Sequence, residues 1–225
     1  MEFAIYYVPQ KSDFYEKGSH VLGYDIREQK AVPFDPSVQE SWVENIKRFG
    51  FHMTITDAVQ IEESQVTDLL ASFKAIVGCF AGQGPFKTSF ESTPVAFWEN
   101  NQTQAALRYQ TTTPLAILHT ALVVHLQSQG KGSHYFRILQ SKNIPPSWGE
   151  DKIKKTQLFF SPYIFDEFKP HFSLINPYAG DGKEKIIADL TALFSSQSTL
   201  EIGSLCFVTR KSPEDNFTIL EEVTL

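Results

Sequence analysis

The sequence predicts an α+β protein: a bilobal chain in which two antiparallel sheets, related by a pseudo-twofold axis, carry flanking helices around a central cleft. Three observations point there. Short segments of alternating apolar residues, which read as strands, are interleaved with segments of helical periodicity. Two stretches, about 51–110 and about 170–225, repeat one order of elements: a strand, a helix, then an antiparallel pair. Each stretch opens on a strand that carries His-x-(Thr or Ser). The 225 residues suit a single bilobal domain of this kind, with an elaborated connection at about 130–168.

The elements follow in order. Residues 3–8 read as a strand ended by Pro9. Residues 14–33, with Gly18 and Gly23, read as a loop. Residues 36–49 read as a helix, capped by Ser37, with Val38, Trp42, Val43 and Ile46 at helical spacing and Gly50 at its end. Residues 51–58 alternate as a strand: His52, Thr54 and Thr56 on one face, Phe51, Met53 and Ile55 on the other. Residues 62–80 form an amphipathic helix broken by Gly82, Gly84 and Pro85. Strands follow at 86–98, with a bend at Pro94, and at 105–109, with a turn at Asn100-Asn101 between them. Residues 114–129 are helical, with Pro114 in the first turn. Residues 133–168 are the least regular, rich in Pro and aromatics, with a lid as one reading. A strand at 170–175, a helix at 183–194 and strands at 199–210 and 217–224 complete the chain.

Composition narrows the function classes. The formal net charge is -6, and the pI is about 5.5. Gripping duplex DNA needs a basic stripe that replaces counterions, so a duplex partner is not expected. A small anionic substrate remains open, because one pocket can be basic in an acidic protein. Cys79 and Cys206 lie apart beside apolar residues and read as buried free thiols. The first residues carry no basic segment or long apolar run, and no window reaches the length of a membrane span. The expectation is a cytoplasmic monomer with no membrane partner.

The chemistry-bearing residues are His52 with Thr54, and His171 with Ser173. In a strand, residues i and i+2 share a face, so each imidazole has a hydroxyl neighbour. An imidazole can take or give a proton near neutral pH, and a hydroxyl can donate to a phosphoryl oxygen. Two such pairs facing one another would form a symmetric site: one His deprotonates water, the other protonates the leaving oxygen, and the hydroxyls hold the oxygens on which charge develops. One His-x-(Ser/Thr) is about what chance supplies in such a chain. Two, each heading a repeat inside an apolar strand, are more informative. The plainer reading is that both are polar faces of edge strands, satisfied by water. His119 and His125 share a helix without sharing a face, and His20 and His134 fall in loops. Neither His-Glu-x-x-His nor Cys-x-x-Cys occurs, and no metal or other cofactor is expected.

These two motifs resemble those of the two-histidine phosphoesterase superfamily, also called LigT-like. Its branch associated with phosphonate-utilisation operons is the most similar. The resemblance lies in the stretch from Phe3 to Pro9, in Leu22-Gly23-Tyr24-Asp25, and most specifically in Arg48-Phe49-Gly50-Phe51-His52-Met53-Thr54-Ile55. It implies a LigT-like fold and metal-independent hydrolysis of a cyclic phosphate, or of a 2′- or 3′-linked phosphodiester of a nucleotide, sugar phosphate or RNA end. The implied catalytic residues are His52, Thr54, His171 and Ser173. Many relatives carry a basic residue just after a motif; here Thr56-Asp57 and Asn176-Pro177-Tyr178 stand instead. Lys169, Arg48 and the lysines at 152–155 are candidate partners for phosphate charge. Tyr6, Phe51, Trp98 and Tyr163 could stack on a base or ribose, and Tyr178 joins Tyr6, Phe51, Lys169 and Trp98 as a candidate for substrate contact. The partner expected is a small phosphorylated substrate or an oligonucleotide end. A binding module that holds such a ligand without turnover is the alternative. An acyl-transfer hydrolase using Ser173 is a weaker third, since Gly-x-Ser-x-Gly is missing.

Overall fold

A computed structural model describes residues 1–99 and 101–225. In chain order the elements are β1 (Glu2–Tyr7), α1 (Asp13–Leu22), β2 (Tyr24–Asp25), β3 (Lys30–Ala31), β4 (Met53–Gln60), α2 (Val66–Gly78), β5 (Phe86–Trp98) and β6 (Asn101–Tyr109). Then come α3 (Thr113–His125), α4 (His134–Gln140), α5 (Glu150–Phe159), β7 (His171–Ile175), α6 (Lys183–Phe194), β8 (Thr199–Ile202), β9 (Ser204–Arg210) and β10 (Thr218–Thr224). Asn100 of the expected Asn100-Asn101 turn lies outside the described residues. No described helix is long and apolar enough to cross a membrane.

The chain is α+β. Its main sheet runs β10-β9-β1-β4-β7-β6-β5-β8, antiparallel throughout, and β2 and β3 form a separate small pair. The order reads symmetrically about the β4–β7 seam. α2 follows β4 and packs on β9 and β10; α6 follows β7 and packs on β5. The two expected sheets are thus joined edge to edge, through the register Met53↔Phe172. Each half draws strands from both sequence repeats: β9 and β10 from the second repeat lie in the half of β4, and β5 and β6 from the first lie in the half of β7.

One face of the sheet holds the aromatic core. Phe51, Met53 and Phe172 are fully buried there. Phe51 stacks on Phe172 at 4.5 Å and on Phe194 of α6 at 5.9 Å, and Phe14 of α1 meets all three edge-on. Phe73 of α2 packs on Phe207 of the same face. β1 is buried along its whole length, as a central strand covered on both faces must be.

Several expectations are corrected. Residues 13–22 are a helix, not loop: Ser12 caps it by accepting from the Tyr15 amide, and Gly23 closes it at φ 67. Gly18 sits inside that helix because a Cβ there would lie 2.2 Å from the Phe51 ring. The helix expected at 36–49 is reduced to 3-10 turns at Glu40–Trp42 and Lys47–Phe49. Ser37 turns back onto Asp35, and the Trp42 carbonyl and Asn45 amide pair with Asn176, which removes the i to i+4 ladder. Residues 133–168 contain α4, capped by Ser133, and α5. The expected strand 199–210 is broken at Gly203 into β8 and β9, which lie in opposite halves of the sheet. Cys206 is buried as expected, whereas Cys79 is exposed at the end of α2.

Candidate functional site

The seam between β4 and β7 sets the geometry. Met53 and Phe172 are directly opposed and both point into the core. Carried one residue each way, the antiparallel register sets Thr54 opposite His171 and His52 opposite Ser173. Side chains alternate along a strand, so these four share the other face. Their burial agrees: each of the four is half-buried, while Met53 and Phe172 are sealed.

The two imidazoles are held in the same way. His52 Nδ1 lies 2.8 Å from the Gly50 carbonyl, and His171 Nδ1 lies 2.7 Å from the Lys169 carbonyl, each two residues upstream. A carbonyl only accepts, so each Nδ1 carries the proton and each Nε2 is left as the lone-pair nitrogen. His52 Nε2 lies 3.1 Å from Thr54 Oγ1, the hydroxyl donating. His171 Nε2 has no hydrogen-bond partner among the described residues. Gln104 of β6 donates to Ser173 Oγ at 3.4 Å.

Burial pulls His52 from 6.5 down to about 4, and the charge of His171 adds to the shift; the Gly50 carbonyl opposes it. His171 is lowered too, by burial first and then by the charge of Arg108, against the Lys169 carbonyl. Each ring therefore feels a neighbouring positive charge: His52 that of His171 across the seam, and His171 that of Arg108 on the next strand. His119 makes a useful contrast. It is also lowered to about 4 by burial, but Nδ1 donates to the Ile55 carbonyl and Nε2 accepts from the Phe165 amide. With both nitrogens committed and the ring stacked on Phe168, it is a structural residue.

The flanks differ. On the His52 side, Tyr6 of β1 pairs with Thr54 and stacks on His52 with centroids 3.7 Å apart. Its phenol is pushed up, mainly by burial, with a further rise from Asp57 and Glu2 against Arg210. Asp57 is raised by burial to about 6, a Ser161 hydroxyl offsetting part of the shift. Its charge also reaches Tyr135, which packs against Tyr163 and Trp148. On the His171 side, Trp98 meets His171 edge-on at 5.1 Å. Arg108 pairs with His171 in register and lies over Trp98 at 4.5 Å, and Lys169 Nζ lies 5.9 Å from the same ring.

The remaining expected contacts divide clearly. Tyr6, Trp98 and Lys169 flank the histidines. Phe51 does not: it is fully buried in the core on the opposite face, because its odd position on the strand points it away. Tyr178 does not either; it is buried against Trp42 and Phe97, and its hydroxyl donates to the Asp181 carbonyl. Arg48 is tied to the Pro213 carbonyl and Glu214. Lys152 pairs with Glu167, Lys154 with Glu150, and Lys155 with Asp151 and Asp166, so this run is neutralised on its own helix and loop. Arg108, Gln104 and Asp57 are the site neighbours that sequence reading missed. An arginine inside the apolar run Ala105-Ala106-Leu107-Arg108-Tyr109 was the available signal for the first. Among the described residues, no group of three His, Cys, Asp or Glu side chains is placed to hold a metal ion.

No protein-family model matches the chain, and no curated protein does. One solved structure described as a phosphoesterase aligns over 100% of this chain and 98% of its own length, at 11% identity and a TM-score of 0.41. At that likeness it assigns no activity, and the chemistry is taken from the residues of the seam.

Proposed function

We propose that the chain is a phosphodiesterase that hydrolyses a cyclic phosphate, or a 2′- or 3′-linked phosphodiester of a nucleotide, sugar phosphate or RNA end. In this reading His52 and His171 act as an acid/base pair without a metal. The observation that carries it is the Met53↔Phe172 register, which turns both imidazoles and both hydroxyls to one face.

The roles follow from the environments. His52, drawn down to about 4 by burial, is neutral near pH 7, which suits the base that takes a proton from water at Nε2 once the Thr54 hydroxyl turns from that nitrogen to the phosphoryl group. His171 Nδ1 is held by the Lys169 carbonyl and its Nε2 is open, which suits the acid that protonates the leaving oxygen. Phosphate between the rings would raise both and favour the singly protonated pair. The Thr54 and Ser173 hydroxyls would donate to the non-bridging oxygens, where negative charge grows in the transition state.

A panel of cyclic nucleotides, sugar cyclic phosphates and short oligonucleotides tests this. His52→Ala and His171→Ala should each lower turnover by about 10²- to 10⁴-fold while retaining the native circular dichroism. EDTA should leave the rate unchanged. Loss of activity in EDTA that a divalent ion restores, or turnover that survives both substitutions, would refute it. Wild-type binding of the same phosphates with no turnover would favour a binding module instead.

A further inference from the structure

Several cations near the sheet are committed to the fold. Arg27 donates to the Pro9 and Val8 carbonyls and to both oxygens of Glu222. Arg210 is held by Glu2 and the Pro213 carbonyl, and the 152–155 lysines are paired as described. These groups are fully engaged in holding the fold. Arg108 is not. Of its five donors, Nη2 donates to the Phe97 carbonyl at 2.7 Å, Nη1 stands 3.9 Å from Glu91, and Nε is shut off from water with no acceptor. Lys169 is exposed and has no carboxylate within 4.0 Å among the described residues. Arg108 and Lys169, both loosely committed, approach the same ring, Trp98, and Trp98 touches His171.

Their distance from the seam decides what they could hold. Arg108 starts on β6, beside His171, but its guanidinium is anchored on a carbonyl of β5, two strands out from β7. At about 4.8 Å per strand, that anchor lies roughly 10 Å along the sheet from the strand carrying His171 and Ser173. A phosphoryl group between the histidines has its oxygens at the hydroxyls of Thr54 and Ser173, out of reach of that anchor. Ala106 stands opposite Ser173 on the intervening strand, and Gln104 of that strand reaches Ser173 Oγ.

Taking the two-histidine reading of the seam as its premise, we propose that Arg108, Lys169 and Trp98 form an anion subsite on the outer side of His171. It takes a second phosphate of the substrate, one unit removed from the bond being cleaved. Trp98 holds the guanidinium flat by cation–π contact and offers an edge for a ribose or base between the two phosphates. Lys183, whose Nζ lies 4.8 Å over Phe97, extends the positive rim outward.

Calorimetric titration of the full chain tests this with three probes: adenosine 5′-monophosphate, adenosine 3′,5′-bisphosphate and a diadenosine dinucleotide with a terminal phosphate. The second phosphate should tighten binding by about 10- to 100-fold, as charge-assisted hydrogen bonds to an anion do. Arg108→Met and Lys169→Met should each bring that ratio down toward one, and Arg108→Lys should restore part of it. Lys169 is exposed, so its variant reports even if Arg108→Met fails to fold. A preference for the bisphosphate assigns the subsite to a small monoester; a preference for the dinucleotide assigns it to an oligonucleotide end. A wild-type ratio near one, or a ratio unchanged in the Lys169 variant, overturns the subsite. Turnover with a ratio near one sinks the subsite alone. A ratio that holds in a protein showing no turnover sinks the catalytic reading and leaves the subsite standing.

Discussion

Replacing Asp57 by Asn should make the protein more stable, and only above acid pH. Burial raises this carboxyl from 3.8 to about 6 in the folded chain. Between those values the native state holds a proton that the unfolded state has released. Stability therefore falls as pH rises through the window, and the full penalty is present above about 6. A shift of a little over two units, at 1.36 kcal/mol each, sets a ceiling of about 3 kcal/mol. Asp57 is only half-buried, and solvent screening brings the expected gain from Asp57→Asn to about 1–3 kcal/mol. The gain should be present at pH 8 and nearly gone at pH 3.5, where the carboxyl is neutral in the folded chain and mostly protonated in the unfolded one. Urea unfolding followed by tryptophan fluorescence at the two pH values, with the slope m unchanged, measures it. His52 acts in the opposite sense: its lowered value costs stability as pH falls from 6.5 toward 4. That term is common to both proteins and cancels in the difference. An Asn variant no more stable than wild type at pH 8, or a gain that does not change with pH, would refute the assignment.

Thr54→Val and Ser173→Ala should each lower kcat by about 10- to 10³-fold in the panel assay, since each removes one donor to the phosphoryl oxygens; unchanged kcat in both would remove the hydroxyls from the chemistry. The profile of kcat/KM against pH should be bell-shaped with its maximum on the acid side of 6.5, because both free-enzyme imidazoles titrate below that value; a plateau extending above pH 8 would contradict it. Gly18→Ala should destabilise the fold by about 1–3 kcal/mol, the cost of overpacking, because the new methyl meets the Phe51 ring at 2.2 Å; urea denaturation would show it as a lower midpoint.

The two motif strands were legible because their signal is local. A period of two puts His52 with Thr54, and His171 with Ser173, wherever the strands end up. What joins them is a register, and register belongs to the pairing of distant segments. Arg108 and Gln104 escaped notice for that reason: they enter the site from β6, whose alignment on β7 no local pattern encodes. Gly18 misled in a different way. A glycine commonly marks a loop, but here its missing side chain makes room for Phe51 inside a helix. The helix expected at 36–49 had the right periodicity and lost to tertiary pairing with Asn176, a contact 131 residues from Asn45. Phe51, offered by its aromatic ring as a stacking partner, lies next to His52 in sequence, yet alternation sends it to the opposite face and into the core.

The symmetry of the sheet stops at the histidines. Both rings hang from a carbonyl two residues upstream, both have a hydroxyl two residues downstream, and α2 and α6 take matching places behind them. One strand further out the match ends. Thr54 faces Tyr6 on β1, while Ser173 faces Ala106 on β6. Beyond them, one side carries a carboxyl among tyrosines and the other two loosely held cations around Trp98. A symmetric pair of imidazoles could by itself cleave a phosphodiester in either orientation. Under the proposed subsite, unlike flanks would remove that freedom: an anionic end would be drawn to the His171 side and repelled from Asp57. The flanks also act on the imidazoles themselves: the charge of Arg108 adds to burial in lowering His171, and Tyr6 stacks on His52. On the proposed reading, the direction in which a substrate lies would then be set by side chains that do not belong to the repeated motif.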